Sequence, residues 1–462
     1  MTAIIAATII GVLLMFVGIA TNNKSTVVSV ALVLLAALLG VNMWEMSKTV
    51  HNGIAVPPRM YFNNMLRFDT FSVWFNLLMT GCTLLYALLL GKEIKKVGMH
   101  VAEYFALVSF ILVGLYLLSS YNNMLMLFMG IEILSIPQYI LAGSDKRNLK
   151  SSEASLKYFL MGAFTTGILL MGITLIYGST GTFYIDHYQL LSSAGLNPMV
   201  IAGIVLLIIA FGFKVSAAPM HMWTPDVYDG APTPFTAFMS TIVKAGAFVG
   251  FLRLFQGSFG QLSEHWMMLL AIITAATLFV GNITAVFQQS VKRMLAYSSI
   301  AQAGFMLFAV ISVNAIAWQS MIIYAVAYSV ATIGMFAVLI KMKDYTYDGF
   351  NGLAKREPVV AFFTTIFLLS LAGIPLTGGF MAKYMVLLSA VRDGNLMWLV
   401  IFGLLMAAIS AYYYFRVIIA MYFKNGAAEL NSEITATDKL LLAITCVLVI
   451  LIGVAPGLFL GL

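Results

Sequence analysis

The sequence predicts an all-α membrane protein of about 14 transmembrane helices, with two inverted five-helix repeats and with helices 7 and 12 broken. Three observations lead to this prediction. Hydrophobic residues make up 61% of the 462-residue chain and charged residues 9%, whereas soluble domains are about one quarter charged. The apolar residues fall into runs of about 20, enough to cross a bilayer. Two of these runs hold a lysine close to prolines or glycines.

Fourteen apolar runs can be marked along the chain as spans. Their approximate limits are 2–20, 26–43, 69–90, 101–118, 122–142, 154–177, 199–221, 233–255, 266–287, 293–313, 317–340, 359–389, 396–424 and 438–460. The first run has neither the basic start nor the small-residue cleavage site of a signal peptide, so we expect it to be a retained helix.

The basic residues of the loops are unevenly divided between the two sides of the membrane. Fifteen lie opposite the termini: Lys24, Lys92, Lys95, Lys96, Lys146, Arg147, Lys150, Lys292, Arg293, Lys341, Lys343, Lys355, Arg356, Lys424 and Lys439. Five lie on the side of the termini: Lys48, Arg59, Arg67, Arg253 and Arg392. The positive-inside rule therefore predicts both termini on the outer side of the membrane and the more basic loops in the cytoplasm.

Composition and cysteine usage exclude several classes of function. The net charge of +7 resides largely in these short loops, so we expect a lipid bilayer and no nucleic acid as partner. Cys82 and Cys446 lie in separate apolar runs, which argues against a disulfide, zinc or iron–sulfur ligation. The chain has no phosphate-binding loop or dinucleotide fingerprint, so we expect no cofactor and no metal on it.

A few ionisable residues fall inside the predicted spans. They are Glu132, Lys157, Lys214, Lys244, Lys383 and Arg416. A charge at the bilayer centre costs about 2.5–3.5 kcal/mol on insertion scales, and burial disfavours the charged form of any ionisable group. Groups in such a balance can gain and lose protons, which is the requirement for a proton relay.

The position of each residue within its span separates a relay from simpler interpretations. Glu132 is central in "MLMLFMGIEILSIPQYILAG" and either pairs with a neighbouring helix or takes part in the relay. Lys157 lies one turn into its span; it either reaches the interface by snorkelling or is the counter-charge of Glu132. Lys244 is central in "STIVKAGAFVG" and cannot easily snorkel.

Helix breakers stand beside the other two lysines. Pro219 and Pro225 follow Lys214, and Gly373 and Pro375 precede Lys383. Proline removes a backbone donor, and in lipid the freed carbonyls need partners from protein or water. Broken helices beside a buried charge are typical of ion paths in transporters, although ordinary proline kinks are the alternative. His221 borders the first break as a candidate relay group or a structural histidine.

The two breaks suggest internal repetition. Spans 4–8 and spans 9–13 each form a five-helix unit whose fourth member is broken, and an odd number of crossings makes the second unit run opposite to the first. We therefore divide the chain into an N-terminal three-helix segment at 1–100, a first repeat at 101–258, a second inverted repeat at 259–430 and a C-terminal helix at 431–462.

The stretch "FKVSAAPMHMWTPDVYDGAPTPFTAFMSTIVKAGAF" resembles the antiporter-like subunits of respiratory complex I. The segments "GIEILSIPQYIL", "EASLKYFLMGAF", "VKRMLAYSSIAQAGF" and "GIPLTGGFMAKYMVL" make the chain similar to the N subunits of bacterial NADH:quinone oxidoreductases. The resemblance spans residues 130–386.

The resemblance implies a subunit of a proton-translocating enzyme, in which Glu132, Lys157, Lys214, Lys244 and Lys383 occupy the family's proton-carrying positions. It also implies membrane-arm partner subunits, and NADH, FMN, iron–sulfur clusters and quinone bound elsewhere in the complex. The chain has Gln302 where relatives often have histidine. Because glutamine does not titrate, we expect water and neutral groups to link the two halves, with Tyr297, Ser298 and Ser299 as candidates.

Two other functions fit the sequence. A cation/proton antiporter subunit of the Mrp type, or its counterpart in a membrane-bound hydrogenase, would share the fold and the buried lysines. A purely structural membrane module would use the buried charges only to specify helix packing.

Overall fold

The computed structural model describes residues 1–51, 54–55, 57–191, 197–392, 394 and 396–460, and these are almost entirely helical. Among them, thirteen helices are long and apolar enough to cross a membrane. The remaining predicted span, 359–389, is formed by two shorter helices in series. The prediction of an all-α membrane protein with about 14 spans is therefore confirmed.

The N-terminal segment contains three long helices, α1 (Thr2–Ala20), α2 (Lys24–Thr49) and α3 (Thr70–Val97). Between α2 and α3 lie two small antiparallel pairs, which the sequence analysis did not predict: β1 (Val50–His51) with β2 (Ile54–Ala55), and β3 (Arg59–Tyr61) with β4 (Leu66–Phe68). Strands of two or three residues are too short to show an alternating pattern.

The next helices are α4 (Val101–Ser120), α5 (Met124–Ala142), α6 (Leu149–Thr180), α7 (Pro198–Val215), α8 (Trp223–Gly230), α9 (Thr233–Phe238) and α10 (Lys244–Gly257). A π-helical turn, Met239–Val243, joins α9 to α10, so the predicted eighth span is continuous but changes its winding just before Lys244.

The second half contains α11 (Ser263–Val286), α12 (Val291–Ile311), α13 (Ala315–Leu339), α14 (Leu353–Arg356), α15 (Pro358–Ala372), α16 (Gly378–Arg392), α17 (Met397–Phe423), α18 (Ala436–Val454) and α19 (Gly457–Leu460). Short 3₁₀ turns lie at Ile185–Leu190, Gly260–Leu262 and Asp348–Phe350.

Short polar side chains begin many of these helices. Asn123, Asn148 and Asn197 accept hydrogen bonds from the backbone two residues ahead and so cap α5, α6 and α7. Asp69 forms a reciprocal capping box with Ser72 at the start of α3. Such caps satisfy backbone N–H groups that have no partner within the helix, which explains why the spans begin where the apolar runs do.

The helices are arranged with a buried centre and an apolar rim. The most apolar stretches of α13 and of the α9–α10 span are wholly buried, whereas α1 and α18 bury little of theirs. Exposed apolar side chains such as Ile19 on α1 and Val454 on α18 suit contact with lipid. The buried centre therefore consists of α10, α12 and α13, and two of these helices hold predicted relay residues.

The two predicted repeats have corresponding neighbours. α4 packs on α5 and α10, and α11 likewise packs on α12 and α17. α6 packs on α7, as α13 does on α15 and α16. The inverted symmetry itself, and the limits of the four predicted segments, remain predictions.

A buried ion pair joins the N-terminal segment to the second half. Lys341, which follows α13, donates from Nζ to Glu93 of α3 at 2.9 Å and lies 3.4 Å from Asp438 of α18. The sequence analysis placed Lys341 in a loop, yet it is only 7% exposed. Its burial is tolerated because two carboxylates surround it.

Candidate functional site

The first break follows Lys214 directly. α7 ends at Val215, and Ser216 adopts a left-handed conformation with φ 65°. The carbonyl of Gly212 accepts from the Ala217 N–H at 2.7 Å, and the carbonyl of Phe213 accepts from Trp223 Nε1 at 3.1 Å. Protein groups therefore supply the partners that the interrupted helix has lost.

The two prolines of this region have different positions. Pro219 lies in the non-helical segment between α7 and α8, as the prediction of a break requires. Pro225 lies instead in the first turn of α8, where its missing N–H costs no intrahelical bond. Pro225 is therefore part of the helix that continues the span and not of the break.

Lys214 is held by α5. Its Nζ donates to Ser135 Oγ at 2.8 Å and to Tyr139 Oη at 3.3 Å. Ser135 and Tyr139 follow Glu132 at spacings of three and seven residues, so all three share one face of α5. The structure thus brings Lys214 to the helix face that carries Glu132.

Glu132 and Lys157 are not paired with each other in the described residues. Glu132 Oε1 accepts from Thr166 Oγ1 at 2.8 Å. Because Thr166 lies nine residues after Lys157 on α6, Lys157 is displaced by roughly 14 Å along the helix from the level of Glu132. Lys157 is therefore not the direct counter-charge of Glu132 that the sequence led us to expect, because the two residues lie at different levels of neighbouring antiparallel helices.

Lys157 instead binds carboxylates near the start of α6. Its Nζ lies 2.7 Å from Glu153 and 2.9 Å from Asp226 of α8, and Asp226 also pairs with Arg293 at 3.1 Å. The Lys157 side chain is 41% exposed. Sequence reasoning missed Asp226, although it is the first of the two acidic residues, with Asp229, in the stretch that follows the first break.

Lys244 lies at the centre of the protein and is 2% exposed. It follows the π-helical turn and donates from Nζ to the Ser299 carbonyl at 3.0 Å and to Ser299 Oγ at 3.1 Å. A π turn inside an α-helix is rare and frequently marks a functional position. The described contacts of its amine are therefore to neutral oxygens of α12.

Lys383 closes the second break. α15 ends at Ala372, and Gly373 has φ 87°, a conformation that favours glycine. Lys383, 7% exposed, donates from Nζ to the carbonyls of Ala372 at 2.8 Å and Leu371 at 3.1 Å. A Cβ on Gly373 would lie 2.9 Å from Lys383 Cδ. The amine of Lys383 therefore binds the carbonyls that the break leaves without a helical partner, and the absence of a side chain on Gly373 leaves room for the lysine.

A chain of hydrogen bonds leads from Lys383 to Ser298, whose neighbour in sequence, Ser299, binds Lys244. Gln302 donates from Nε2 to the Leu371 carbonyl at 2.9 Å and to Tyr414 Oη at 3.2 Å. Tyr414 Oη also bonds to Ser298 Oγ, and Ser298 adjoins Ser299, the partner of Lys244. Gln302 Oε1 accepts from Tyr324 Oη.

Two members of this chain were not found from the sequence. Tyr324 comes from α13, 22 residues after Gln302, and Tyr414 from α17, 112 residues after it. Neither belongs to the motifs around Gln302, and the sequence contains 21 tyrosines. Ser298 and Ser299, which were candidates, are buried and bonded to the chain or to Lys244, whereas Tyr297 is half-buried on the same helix.

A row of aromatic rings lies between Lys214 and Lys244. Lys214 Nζ is 5.9 Å from the Tyr139 ring, and Lys244 Nζ is 5.7 Å from the Tyr228 ring. Between these ends, the ring centroids are 4.8 Å apart for Tyr139–Tyr158, 4.5 Å for Tyr158–Trp223 and 5.8 Å for Trp223–Tyr228. These aromatic faces stabilise ammonium groups at both ends.

His221 belongs to the first break. It is half-buried in the segment between α7 and α8, and its Nδ1 has no hydrogen-bond partner among the described residues. A ring nitrogen in this state is available to accept or donate a proton, so His221 stays a candidate relay group.

Comparison with known proteins identifies the family and the fold of the chain. Residues 121–410 match the family described as NADH:quinone oxidoreductase/Mrp antiporter, TM. NADH-quinone oxidoreductase subunit N of Cytophaga hutchinsonii is 40% identical, over 100% of this chain and 99% of the relative. A chain of respiratory complex I from Thermus thermophilus has a TM-score of 0.83 at 30% identity, covering 99% of this chain and 98% of that one. A chain of the Mrp complex from Dietzia sp. shares the fold alone, with a TM-score of 0.84 at 19% identity, covering 100% of this chain and 96% of that one.

Proposed function

Because the chain belongs to the family of NADH:quinone oxidoreductase and Mrp antiporter membrane subunits, we propose that it moves protons across the membrane as the N-type membrane-arm subunit of an NADH:quinone oxidoreductase. Electron transfer to quinone elsewhere in the complex supplies the free energy. NADH, FMN, iron–sulfur clusters and quinone bind to partner subunits, and other membrane-arm subunits flank this chain. It is a multi-pass protein of the bacterial inner membrane with both termini on the outer side.

The relay begins at the face of α5 that holds Lys214. A change in the charge near Glu132 alters the balance between the charged and neutral forms of Lys214, because Ser135 and Tyr139 hold the amine on the same helix face. Lys157 acts through Asp226, its partner on the second half of the broken span. Asp226 thereby couples α6 to the break without a direct Glu132–Lys157 pair.

The proton then passes from Lys214 to Lys244 through water and hydroxyls along the aromatic row. Tyrosine and serine hydroxyls both donate and accept hydrogen bonds, so they suit a relay in either direction. The aromatic rings fill the space between Lys214 and Lys244, and the two amines lie at the ends of the row. His221, in the first break, is a candidate group for proton entry.

The observation that supports this proposal most is the hydrogen-bond chain from Ser298 to Lys383. Hydroxyls of Ser298 and Tyr414 lead from the Lys244 side to Gln302, whose amide binds the same carbonyl as Lys383. Gln302 does not titrate and therefore holds the chain together, while the hydroxyls and water carry the proton. From Lys383 the proton leaves to the outer side.

The test is proton pumping by the purified complex. We expect the chain to purify in mild detergent with a large NADH-oxidising assembly, and that assembly to acidify or alkalise vesicles when NADH and quinone are supplied. Lys383→Ala should leave the assembly intact and abolish proton movement, whereas Lys355→Ala, an exposed lysine, should change neither. Proton movement driven by a sodium gradient without NADH would favour an Mrp-type antiporter instead.

A further inference from the structure

A basic cavity lies where three parts of the chain meet, apart from the residues of the proposed relay. Its volume is about 500 Å³. It is bordered by the start of α2, the α3–α4 connection and the α5–α6 connection. Its charged or ionisable lining residues are Lys24, Lys96, His100, Asp145, Lys146 and Arg147.

The walls of the basic cavity are joined by partly buried hydrogen bonds. Tyr104, 6% exposed, donates from its hydroxyl to the Ser144 carbonyl at 3.3 Å and so joins α4 to the α5–α6 connection. Lys24 Nζ donates to the Gly98 carbonyl at 2.7 Å and to the Lys95 carbonyl at 3.0 Å, which joins α2 to the end of α3. The cavity is therefore formed in the folded chain and does not depend on a ligand for its shape.

The cations of the basic cavity exceed its anions. Lys96 is paired with Glu93 at 2.6 Å, whereas the partners of Lys24 among the described residues are carbonyl oxygens. Lys146 and Arg147 are exposed and form no ion pair within the described residues. Three cations thus face a single lining carboxylate, Asp145, and the remaining charge attracts an anion.

Exposed apolar side chains lie in the lining of the basic cavity or on the segments that continue from it. Met99, itself a lining residue, is 80% exposed, and Leu149, which follows the α5–α6 connection, is 86% exposed. Ile19, at the end of α1, is 83% exposed, and its neighbour Gly18 packs against Ala102 in the first turn of α4. A ligand with an anionic head and an apolar tail satisfies both parts of this surface, whereas a soluble anion satisfies only one.

We propose that the basic cavity binds the phosphodiester headgroup of an anionic phospholipid, with Lys24, Lys146 and Arg147 on the phosphate oxygens and the acyl chains over Met99 and Leu149. Arginine binds phosphate through two parallel N–H groups and lysine as a compact charge. Basic pockets between transmembrane helices are suited to lipids with more than one phosphate. The volume of about 500 Å³ leaves room for such a headgroup.

The experiment is a lipid titration of the full chain in mild detergent, read by native mass spectrometry. The probes are cardiolipin, phosphatidylglycerol, the zwitterionic phosphatidylcholine and inorganic pyrophosphate. The double variant Lys146→Gln/Arg147→Gln should weaken cardiolipin binding by about 25-fold, since each cation is worth about fivefold at an anionic surface. The matched control is Lys355→Gln/Lys424→Gln, which removes two exposed cations elsewhere. All four side chains are exposed, so the variants should fold as the parent does.

The outcomes separate the sources of phosphate. Tighter binding of cardiolipin than of phosphatidylcholine, lost only in the cavity variant and weakened by Met99→Ser/Leu149→Ser, supports the proposal. Equal weakening by the cavity and control variants would show a general basic surface and overturn it. Pyrophosphate binding as tight as that of cardiolipin, unaffected by the apolar variant, would identify a soluble ligand and also overturn it.

Discussion

Lys383 and Gln302 bind the same atom, the carbonyl oxygen of Leu371, at 3.1 and 2.9 Å. Leu371 is the second-last residue of α15, so this oxygen is one that the broken helix cannot use internally. An amine from α16 and an amide from α12 therefore meet where the span is interrupted. The helix break creates the junction between the titrating lysine and the neutral chain that leads toward Lys244.

Replacing Gln302 with leucine tests that junction. The variant keeps the volume but removes the bonds to Leu371 and Tyr414, and an unmade buried hydrogen bond costs about 1–3 kcal/mol. We expect coupled proton pumping to fall by about tenfold or more with assembly unchanged, measured in reconstituted vesicles. Gln261→Leu, at an exposed position, is the control. Normal pumping by the Gln302 variant would exclude the hydrogen-bond chain between Ser298 and Lys383 as a proton route.

Replacing Lys244 with arginine separates a relay from a structural charge. Arginine keeps the positive charge but does not release its proton in proteins. We expect NADH-driven pumping to fall by about 100-fold, the lower end of what an acid–base group contributes, while the complex still assembles. A structural module would tolerate the change. Pumping at the parental rate in an assembled Lys244→Arg complex would therefore support that alternative.

The partner of Lys157 can be identified by a double-mutant cycle. Because Lys157 binds Asp226 in the structure, we expect Lys157→Gln and Asp226→Asn to be non-additive in thermal stability. The coupling should be small but measurable, because solvent screens a pair that is partly exposed. The cycle of Lys157→Gln with Glu132→Gln should be additive. A larger coupling in the second cycle would restore the pairing expected from the sequence.

Asp69, which precedes α3, gives the protein a predictable response to acid. Although burial opposes its ionisation, the guanidinium of Arg253, 2.9 Å away, and the bonds from Ser72 hold the pKa of Asp69 below its ordinary value of 3.8. A depressed pKa in the folded state stabilises the fold above the ordinary pKa, and this contribution is lost as the pH falls through the folded value.

We therefore expect the melting temperature of the parent to fall below about pH 4, and Asp69→Asn to remove part of that dependence while lowering stability near neutral pH. Differential scanning calorimetry between roughly pH 3 and pH 7 measures both effects. Asp348→Asn, on a connection elsewhere, serves as the control. An unchanged pH profile in Asp69→Asn would show that the Arg253 pair contributes nothing to acid stability.

Hydropathy predicted the number of spans because lipid-facing and buried helices are both apolar, and proline and glycine located both breaks because they act on their own backbone. The roles of Pro225 and Lys157 depend on neighbouring segments: the start of α8 accommodates the proline, and the relative displacement of α5 and α6 separates Lys157 from Glu132. Such relationships between distant segments carry no local signal.

The same limit applies to groups that sequence reasoning did not find. Tyr324 and Tyr414 reach Gln302 only because α13 and α17 pack around it, and one tyrosine among many in apolar spans cannot be distinguished by its neighbours. Lys292 was counted among loop residues, yet it is 5% exposed and donates to the carbonyls of Asp229 and Ala231 at 2.7 Å. The sequence around a lysine at the end of a span does not show whether its amine contacts water or the carbonyls at the end of another helix.

The position of Lys244 depends on the winding of the π-helical turn at Met239–Val243. Tightening it to ordinary α-helical winding would shift the register by one residue, turning the amine by about 100° and moving it by about 1.5 Å along the axis. The hydrogen bonds from Lys244 to Ser299 would then be lost. The extra backbone residue of the turn is therefore what aims this amine at α12, and a deletion of one residue there would disconnect it.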